Sequence, residues 1–207
     1  MRWYDLFALV YDRALEKLYY DCRARTAALL QVEPGATVLD LACGTGQNFP
    51  HLVDTIGPEG RLIGVDYSRG MLKKARQKVR RQAWDNVILM HRDARALTLN
   101  DIETACGGPV EIDHILCVLG YTVIPDWETV LETTFGLLRP GGRYAVVDVH
   151  TDLRDLRTWV VEAVTRTDLS RQIWKPLEHL SSSFDMEYWP GSRRDYSGQV
   201  YLACGTK

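Results

Sequence analysis

The residues with the clearest potential for chemistry lie where a short apolar run, Thr37–Ala42, meets a glycine-rich turn. The sequence Val38-Leu-Asp-Leu-Ala-Cys-Gly-Thr-Gly46 leads from that run directly into a predicted helix. Glycines let a ligand approach the backbone closely, and the free N–H groups at a helix N-terminus attract negative charge. The turn is therefore a candidate binding site, although a tight strand–helix turn that binds nothing has the same pattern.

Two carboxylates follow the next two apolar runs. Asp66 ends the first of these runs, 20 residues after Gly46, and Asp93 comes shortly after the second. A carboxylate in the position of Asp66 accepts hydrogen bonds from the hydroxyls of a ribose, and Asp93 is suited to the amino group of an adenine. Each Asp alone is equally compatible with a strand end or a helix cap. Together they predict a nucleoside site at the carboxyl edge of a sheet.

Short apolar runs alternate with helical patterns along the chain, which predicts a doubly wound α/β sheet. The predicted strands are Thr37–Ala42, Arg61–Asp66, Val87–His91, Ile112–Val118 and Arg143–Val149, then a hairpin of Phe184–Trp189 and Gln199–Cys204. The predicted helices between them are Gln47–Ile56, a helix capped by Ser68, Asp101–Cys106, Trp127–Leu138, Asp152–Arg166 and Arg171–Leu180. Two helices, Arg2–Val10 and Asp12–Leu30, precede the first strand and are expected to cap the sheet.

The composition excludes several classes of protein. The 207 residues include 25 basic and 27 acidic side chains, a balance that argues against a dedicated nucleic-acid partner. No apolar run is long enough to span a bilayer, and the N-terminus does not resemble a signal peptide. The 5 cysteines form no CxxC pair, which favours reduced thiols in the cytoplasm, and no metal-ligand spacing occurs.

The chain resembles the class I S-adenosylmethionine (SAM)-dependent methyltransferases over roughly 37–149. The matching segments are VLDLACGTG, Gly64-Val-Asp-Tyr-Ser68, Asp93-Ala94, Asp113-His-Ile and Leu138-Arg-Pro-Gly-Gly142. The resemblance implies a Rossmann-like, mostly parallel sheet of seven strands with a C-terminal antiparallel hairpin and an N-terminal helical cap. A dinucleotide-binding oxidoreductase is the main alternative, but its GxGxxG fingerprint lacks the third glycine here, because Phe49 occupies that position.

The resemblance also implies a cofactor, SAM, and a role for each matching residue. The methionine part would lie among Asp40, Ala42, Gly44, Thr45, Gly46, Cys117 and Val118, although the family often has glycine where Ala42 stands. Asp66 would hold the ribose, and Tyr67, Met71, Asp93 and Ala94 would surround the adenine. On this basis the chain is one domain, 1–207, with 1–30 as the cap, 31–150 as the SAM-binding core and 151–207 as the acceptor-side helices and closing hairpin.

The methyl acceptor is less clearly indicated. The stretch Leu119-Gly-Tyr-Thr-Val-Ile-Pro-Asp-Trp127, with Tyr11-Asp12-Arg13 upstream, resembles small bacterial methyltransferases that act on lipid or quinone head groups. We expect N-methylation of an amino phospholipid head group, with a quinone or a soluble metabolite as the alternative acceptor and a non-catalytic SAM-binding module as a further one. The candidate catalytic residues are Tyr11, Tyr121 and His150, and the candidate acceptor-binding residues are Arg193, Arg194 and Tyr196.

An apolar stripe in the predicted N-terminal helix adds a possible membrane contact. Trp3, Phe7 and Val10 share one helical face, which suits either packing on the sheet or lying in a bilayer interface. A basic helix after the second strand is typical of a solvated surface but also fits an anionic membrane. The prediction is a cytoplasmic protein, with peripheral membrane contact as the open question.

Overall fold

The computed structural model describes residues 19–152, 156–190 and 198–207, with the side chain of Arg157 left out. Several predictions therefore fall outside the described residues. They are the helix Arg2–Val10, the first part of Asp12–Leu30, and the candidate site residues Tyr11, Arg193, Arg194 and Tyr196. The remainder of the second predicted helix is present as α1, which covers 19–30.

Seven strands form one sheet. They are β1 (Thr37–Leu41), β2 (Arg61–Asp66), β3 (Val87–His91), β4 (Ile112–Val118), β5 (Leu138–His150), β6 (Ser183–Tyr188) and β7 (Gln199–Thr206). Their order is β3-β2-β1-β4-β5-β7-β6. The first five are parallel, and β7 runs antiparallel to both β5 and β6, so the predicted mixed sheet with a closing hairpin is confirmed. The strand order reverses between β1 and β4, and in such sheets the crevice at the carboxyl ends of these strands binds ligands.

Six further helices lie between the strands. They are α2 (Val53–Ile56), α3 (Arg69–Gln82), α4 (Leu99–Cys106), α5 (Trp127–Leu137), α6 (Leu156–Thr165) and α7 (Trp174–Leu180). Ser68 caps α3 as predicted, because its side chain accepts a hydrogen bond from the backbone N–H of Met71 at 3.2 Å. This cap satisfies one of the N–H groups that the first turn of a helix leaves without a partner.

The core has two parts, one on each face of the sheet. On one face the buried side chains of α1, α2 and α3 pack against the strands, as Cys22, Ile56 and Leu72 illustrate. On the other face α4, α5 and α7 do the same, through Ile102, Phe135, Leu177 and others. The sheet is therefore covered by helices on both sides, which explains why its strands are almost continuously apolar.

Three predicted elements differ from the structure. The predicted helix Gln47–Ile56 is a 3₁₀ turn, Phe49–His51, followed by the short α2, since Pro50 has no N–H to donate and the glycine-rich turn extends to Asn48. The predicted helix Arg171–Leu180 begins only at Trp174. Strand β5 begins at Leu138, because Leu138 pairs with Ile112 of β4 and the backbones of Gly141 and Gly142 bond to Lys207.

Candidate cofactor site

The glycine-rich turn has the backbone that its sequence predicts. Ala42, Gly44 and Gly46 all have positive φ angles, of 54°, 57° and 74°. Among the residues that the structure describes, a Cβ placed on Gly44 would meet nothing within 4 Å, whereas one on Gly46 would lie 2.5 Å from the ring of Phe49. In this part of the chain Gly44 therefore faces open space that a ligand can enter, and Gly46 is required by packing within the protein. The family's usual glycine at position 42 has a physical reason, because Ala42 adopts a conformation that costs a side-chain-bearing residue about 1 kcal/mol.

Variants of Gly44 and Gly46 provide a test that separates SAM binding from folding. We expect Gly46→Ala to lower the free energy of unfolding by more than Gly44→Ala, for which the left-handed backbone alone costs about 1 kcal/mol. Gly44→Ala should instead weaken SAM binding by about tenfold or more, because its methyl group enters the open space. Calorimetric titration with SAM and thermal unfolding measure the two effects.

The control for this pair is Gly136→Ala, which lies in α5 with nothing within 4 Å of the added methyl. It should leave the Kd for SAM unchanged and raise stability slightly, since alanine favours a helix more than glycine does. If Gly44→Ala bound SAM as tightly as the wild type, the open face of the turn would not be the cofactor site.

Asp66 connects this turn to the end of β2. One carboxylate oxygen accepts a hydrogen bond from the Gly44 N–H at 2.8 Å, and the other accepts one from the Ser68 N–H at 2.7 Å. A carboxylate at the end of this strand is the group expected to receive the hydroxyls of a ribose. Tyr67 follows with 57% of its surface exposed, beside the ring of His91. Asp66, Gly44 and Tyr67 thus form one side of an open cleft that fits the nucleoside of SAM.

Asp40 lies beneath the turn and is fully buried. Both of its carboxylate oxygens accept hydrogen bonds from the side-chain amide of Asn48, at 2.9 and 3.0 Å. The Asn48 oxygen in turn accepts a bond from Arg23 on α1, at 2.6 Å. Burial raises the pKa of Asp40 to about 7, although the bond from Asn48 and the charge of Arg23 oppose that rise. The structure therefore gives Asp40 a supporting position below the turn, and a direct contact with the cofactor stays a prediction.

The raised pKa of Asp40 predicts a pH-dependent affinity for SAM. Below a pH of about 7 the carboxyl is neutral, and above it the carboxylate attracts the positively charged groups of SAM. If binding requires the ionised form, the Kd should fall about tenfold between pH 6 and pH 8. The measurement is a series of calorimetric titrations across this range.

Asp40→Asn provides the matched control, because an amide does not titrate. Its Kd should vary less with pH than that of the wild type. A wild-type Kd that is constant across the range would show that the charge of Asp40 makes no contribution to binding.

Asp93 and Ala94 lie at the edge of the sheet beyond β3, as predicted. The Asp93 carboxylate is bound by the guanidinium of Arg95, with Nη2 of Arg95 at 2.7 Å from Oδ2 of Asp93. This contact lowers the pKa of Asp93. Arg95 thus occupies part of the carboxylate surface assigned to the adenine, and sequence reasoning did not identify it. An Arg two residues after the acidic residue is the signal that would have revealed it.

Lys78 is a further contact that the sequence analysis did not single out. Its ammonium group donates a hydrogen bond to the backbone carbonyl of Gly46 at 3.0 Å. The basic residues of α3 are predicted to face solvent, but this contact connects Lys78 of α3 to the glycine-rich turn. The turn is consequently held from two directions, by Lys78 and by Asp66.

The end of β4 closes the other side of the crevice. Cys117 and Val118 are buried, and a Cβ on Gly120 would lie 2.6 Å from the Cys117 sulfur and 2.9 Å from the Ala42 Cβ. The absence of a side chain at Gly120 therefore lets the ends of β1 and β4 approach each other. Burial raises the pKa of the Cys117 thiol far above its usual range, which makes this residue a packing group and not a nucleophile.

Tyr121 is buried in the core, and its predicted contact with the acceptor stays a prediction. Its side chain has no exposed surface, and its hydroxyl lies 2.5 Å from that of Tyr144. Tyr144 bonds in turn to Thr134 of α5 at 2.9 Å. The loop after β4 turns the ring inward against α5, so Tyr121 belongs to the core below the site.

His150, the last residue of β5, lies at the carboxyl edge and remains a candidate. Its Nε2 is 3.0 Å from Oδ1 of Asp152, and its ring contacts Trp174 edge to face, with centroids 4.9 Å apart. Only 6% of its surface is exposed. The sheet therefore places an imidazole next to the crevice but on its β5 side, away from Asp66 and Asp93.

Three further properties follow from the described part of the chain. All 5 cysteines are free. Among the residues 19–152, 156–190 and 198–207, no group of His, Cys, Asp and Glu could hold a metal ion. Within these same ranges no helix has the length and hydropathy needed to cross a bilayer.

Comparisons with known proteins agree with this geometry. The chain matches the ubiE/COQ5 methyltransferase family over residues 4–157. It is 35% identical over 132 residues to the demethylmenaquinone methyltransferase of Listeria welshimeri, a match that covers 64% of this chain and 52% of the relative. The chain thus spans about half the length of the curated relatives it matches.

Solved structures share the fold at low sequence identity. A chain of the Haloferax volcanii complex that contains the Trm112 methyltransferase activator has a TM-score of 0.77 and 18% identity, covering 98% of this chain and 96% of that one. A Haemonchus contortus phosphoethanolamine N-methyltransferase has a TM-score of 0.69 and 14% identity, covering 88% of this chain and 52% of that one. Because the family match extends over residues 4–157, the chain belongs to the ubiE/COQ5 methyltransferase family.

Proposed function

We propose that the chain transfers a methyl group from SAM to a ring carbon of a quinone-type acceptor. The observation that carries this proposal is the similarity to demethylmenaquinone methyltransferases. The family match over residues 4–157 includes the turn, the Asp66 segment and the Asp93 segment. The open cleft beside Gly44 and Asp66 supports it, because the cleft fits the nucleoside of SAM. The dinucleotide alternative is set aside, since the family match is to methyltransferases.

The chain's own residues would contribute mainly binding and orientation. When bound, SAM supplies a methyl group on a positively charged sulfur, which an aligned nucleophile can attack. Asp66, Tyr67 and Asp93 would hold the nucleoside part, and the glycine-rich turn would hold the methionine part. Fixing the donor in this way lowers the entropic cost of bringing it to the acceptor. No strong acid or base next to Gly44 is needed for this role.

The acceptor must be an electron-rich ring. A carbon that attacks a methyl cation equivalent has to be nucleophilic, and the carbons of an oxidised quinone are not. The two-electron-reduced hydroquinone has two electron-donating hydroxyls, and loss of a hydroxyl proton increases the electron density on the neighbouring carbon. We therefore propose the hydroquinone form as the substrate.

A quinone-type acceptor is favoured over the amino phospholipid expected from the sequence. The curated relatives are named for a demethylated menaquinone. The Haemonchus contortus phosphoethanolamine enzyme is only 14% identical and is evidence for the fold alone. The phospholipid hypothesis therefore has less support than its alternative, and a soluble metabolite is the remaining competitor.

The test has two stages. Calorimetric titration with SAM and with NAD comes first, and binding of SAM without binding of NAD is the expected result. Methyl transfer from radiolabelled SAM is then measured with chemically reduced demethylmenaquinone, with phosphatidylethanolamine vesicles and with a panel of soluble amines and phenols. Label in the quinol product supports the proposal. Label only in the phospholipid or in a soluble acceptor would overturn it.

We also propose that the protein contacts the membrane that contains such an acceptor. The support is an apolar face on α6, where Leu156, Trp159, Val160 and Val164 are exposed by 77%, 64%, 46% and 44%. They recur at helical spacing, and the opposite side of α6 packs on the core through Val161. An exposed apolar stripe with a Trp suits the interface of a bilayer.

Sedimentation with vesicles tests the membrane contact. The protein should sediment with vesicles of phosphatidylglycerol and phosphatidylcholine, and the double variant Trp159→Ser/Val160→Ser should not. Leu99→Ser is the control, because Leu99 is 39% exposed on α4, on the other face of the sheet. If the double variant and the control sediment equally well, α6 is not the contact.

A further inference from the structure

A small cluster of aromatic and polar side chains lies on one face of the sheet, where β5 ends and β7 begins. It consists of His150 on β5, Tyr201 on β7 and Trp174 on α7. The Trp174 ring contacts both of the others edge to face, with centroid distances of 4.9 Å to His150 and 4.7 Å to Tyr201. In the strand register His150 pairs with Gln199, and Asp148 pairs with Tyr201, so His150 and Tyr201 are diagonal neighbours on adjacent strands.

Two polar atoms of this cluster have no hydrogen-bond partner among the described residues. They are Nδ1 of His150 and the hydroxyl of Tyr201. The two side chains are 6% and 0% exposed. A buried polar group without a partner costs about 1–3 kcal/mol, so two of them on neighbouring positions indicate a partner that the described residues do not supply.

The hydrogen-bonding capacities of the two atoms are complementary to one kind of ligand. Nε2 of His150 faces the acceptor-only carboxylate of Asp152 at 3.0 Å, so the proton of a neutral imidazole is placed on Nε2. Nδ1 then has a free lone pair and can only accept. The Tyr201 hydroxyl can donate. A single hydroxyl group between them would donate to Nδ1 and accept from Tyr201, and a flat ring attached to it would lie against Trp174.

The position of the cluster fits the acceptor side of the crevice. The groups suited to the nucleoside are at β2 and β3, and the glycine-rich turn is at β1, so the reactive end of the donor points toward β4 and β5. His150 is the last residue of β5, the next strand beyond β4. The cluster is therefore separated from the nucleoside cleft and adjacent to the end of the sheet where the methyl group would emerge.

We propose that His150 and Tyr201 bind a phenolic hydroxyl of the methyl acceptor, that His150 accepts its proton, and that Asp152 is a positioning residue for His150. This inference rests on the proposed function, because it concerns the acceptor of that reaction. It assigns to His150 the role of base and gives Tyr201 a role that the sequence did not suggest. The ligand class is a fused-ring phenol or hydroquinone.

The proton and electron balance of the step is complete. The hydroxyl proton passes to Nδ1 of His150 as a ring carbon next to the phenolate forms its bond to the methyl group, and the carbon–sulfur bond of the donor breaks with its electron pair left on sulfur. The methylated carbon then loses its hydrogen as a proton to water, while the oxygen recovers a proton from His150. The sum is one methyl group transferred and one proton released, with no oxidant or reductant.

The test compares 1-naphthol with naphthalene, both in the presence of S-adenosylhomocysteine. Calorimetric titration of the wild type should show the naphthol binding more tightly than the hydrocarbon. Tyr201→Phe removes only a hydroxyl that has no partner among the described residues, so it should leave the thermal stability unchanged or raised while it weakens naphthol binding by about five- to tenfold. His150→Phe keeps a ring against Trp174 and should weaken naphthol binding by about tenfold or more. Neither variant should alter the binding of naphthalene.

His179→Phe is the matched control, because His179 is exposed on the same helix as Trp174. It should bind naphthol as the wild type does. The inference is overturned if naphthol does not bind to the wild type, if it binds no better than naphthalene, or if Tyr201→Phe and His150→Phe bind it unchanged. In the first of these cases the two polar atoms hold an ordered water only.

Activity gives the second readout and separates this inference from the proposed function. The kcat for the quinol should fall strongly in His150→Phe and less in Asp152→Asn, while the KM for SAM stays unchanged in both variants. A wild type that binds naphthol through Tyr201 and His150 but does not methylate quinols supports the site and refutes the proposed function. Full activity of His150→Phe on quinols supports the function and refutes the site.

Discussion

Asp66→Ala is expected to weaken SAM binding by about hundredfold, the largest single effect on the cofactor site. The variant removes the acceptor for the two ribose hydroxyls and also releases the N–H groups of Gly44 and Ser68. Two charge-assisted hydrogen bonds to a ligand contribute together about 3 kcal/mol, which corresponds to roughly two factors of ten in Kd. Calorimetric titration with SAM measures the change directly.

The matched control for this prediction is Asp85→Ala. Asp85 is an exposed carboxylate on the loop before β3, so its removal changes the net charge equally without touching the cleft. The control should bind SAM with the wild-type Kd. If Asp66→Ala loses less than about threefold in affinity while remaining folded, the ribose is not held at the end of β2.

The second large effect concerns stability. Tyr121→Ala should lower the free energy of unfolding by about 3–5 kcal/mol, because it leaves a cavity in the core and removes a partner of Tyr144. For a chain of this size such a loss lowers the melting temperature by roughly 10 °C. Thermal unfolding followed by circular dichroism measures it, and the Kd for SAM of the folded fraction should be close to that of the wild type.

Conservative variants isolate the hydroxyl pair in this network. Tyr121→Phe and Tyr144→Phe, alone and combined, form a double-mutant cycle whose coupling energy we expect to be about 1 kcal/mol. A coupling of zero would mean that the hydroxyl bond between these rings makes no net contribution. A strong loss of methyl transfer in Tyr121→Phe, with the free energy of unfolding unchanged, would indicate that Tyr121 contacts the acceptor.

The regular elements of this fold are predictable from local sequence because their signals are local. The strands β2, β3 and β4 have the predicted bounds, since each is a short and mostly apolar run. The segment after the glycine-rich turn is not predictable in this way. Its apolar residues recur at helical spacing, but Asn48 is engaged with Asp40 and Pro50 cannot donate a hydrogen bond, so a 3₁₀ turn and a single helical turn replace one helix.

The site is predictable where a backbone conformation or a strand end defines it. Gly44, Asp66 and Asp93 follow from their positions after strands. The directions of the side chains cannot be predicted from the local sequence, because they depend on contacts between residues that are far apart in the sequence. Tyr121 turns inward, where its hydroxyl contacts that of Tyr144, which bonds in turn to Thr134. Asn48 connects Asp40 to Arg23, which lies on a helix that precedes the first strand. Lys78 is missed for the same reason, since its partner Gly46 is 32 residues away in the sequence.

The double anchoring of the glycine-rich turn has a consequence for turnover. Asp66 and Lys78 hold Gly44 and Gly46 in place without a ligand, so binding requires little loss of backbone entropy in the turn. This preformed surface suits the ribose and the amino-acid end of the cofactor. Both groups are present in SAM and in its demethylated product. We therefore expect the demethylated product to compete strongly with SAM, so that the rate in the cell depends on how fast other enzymes remove that product.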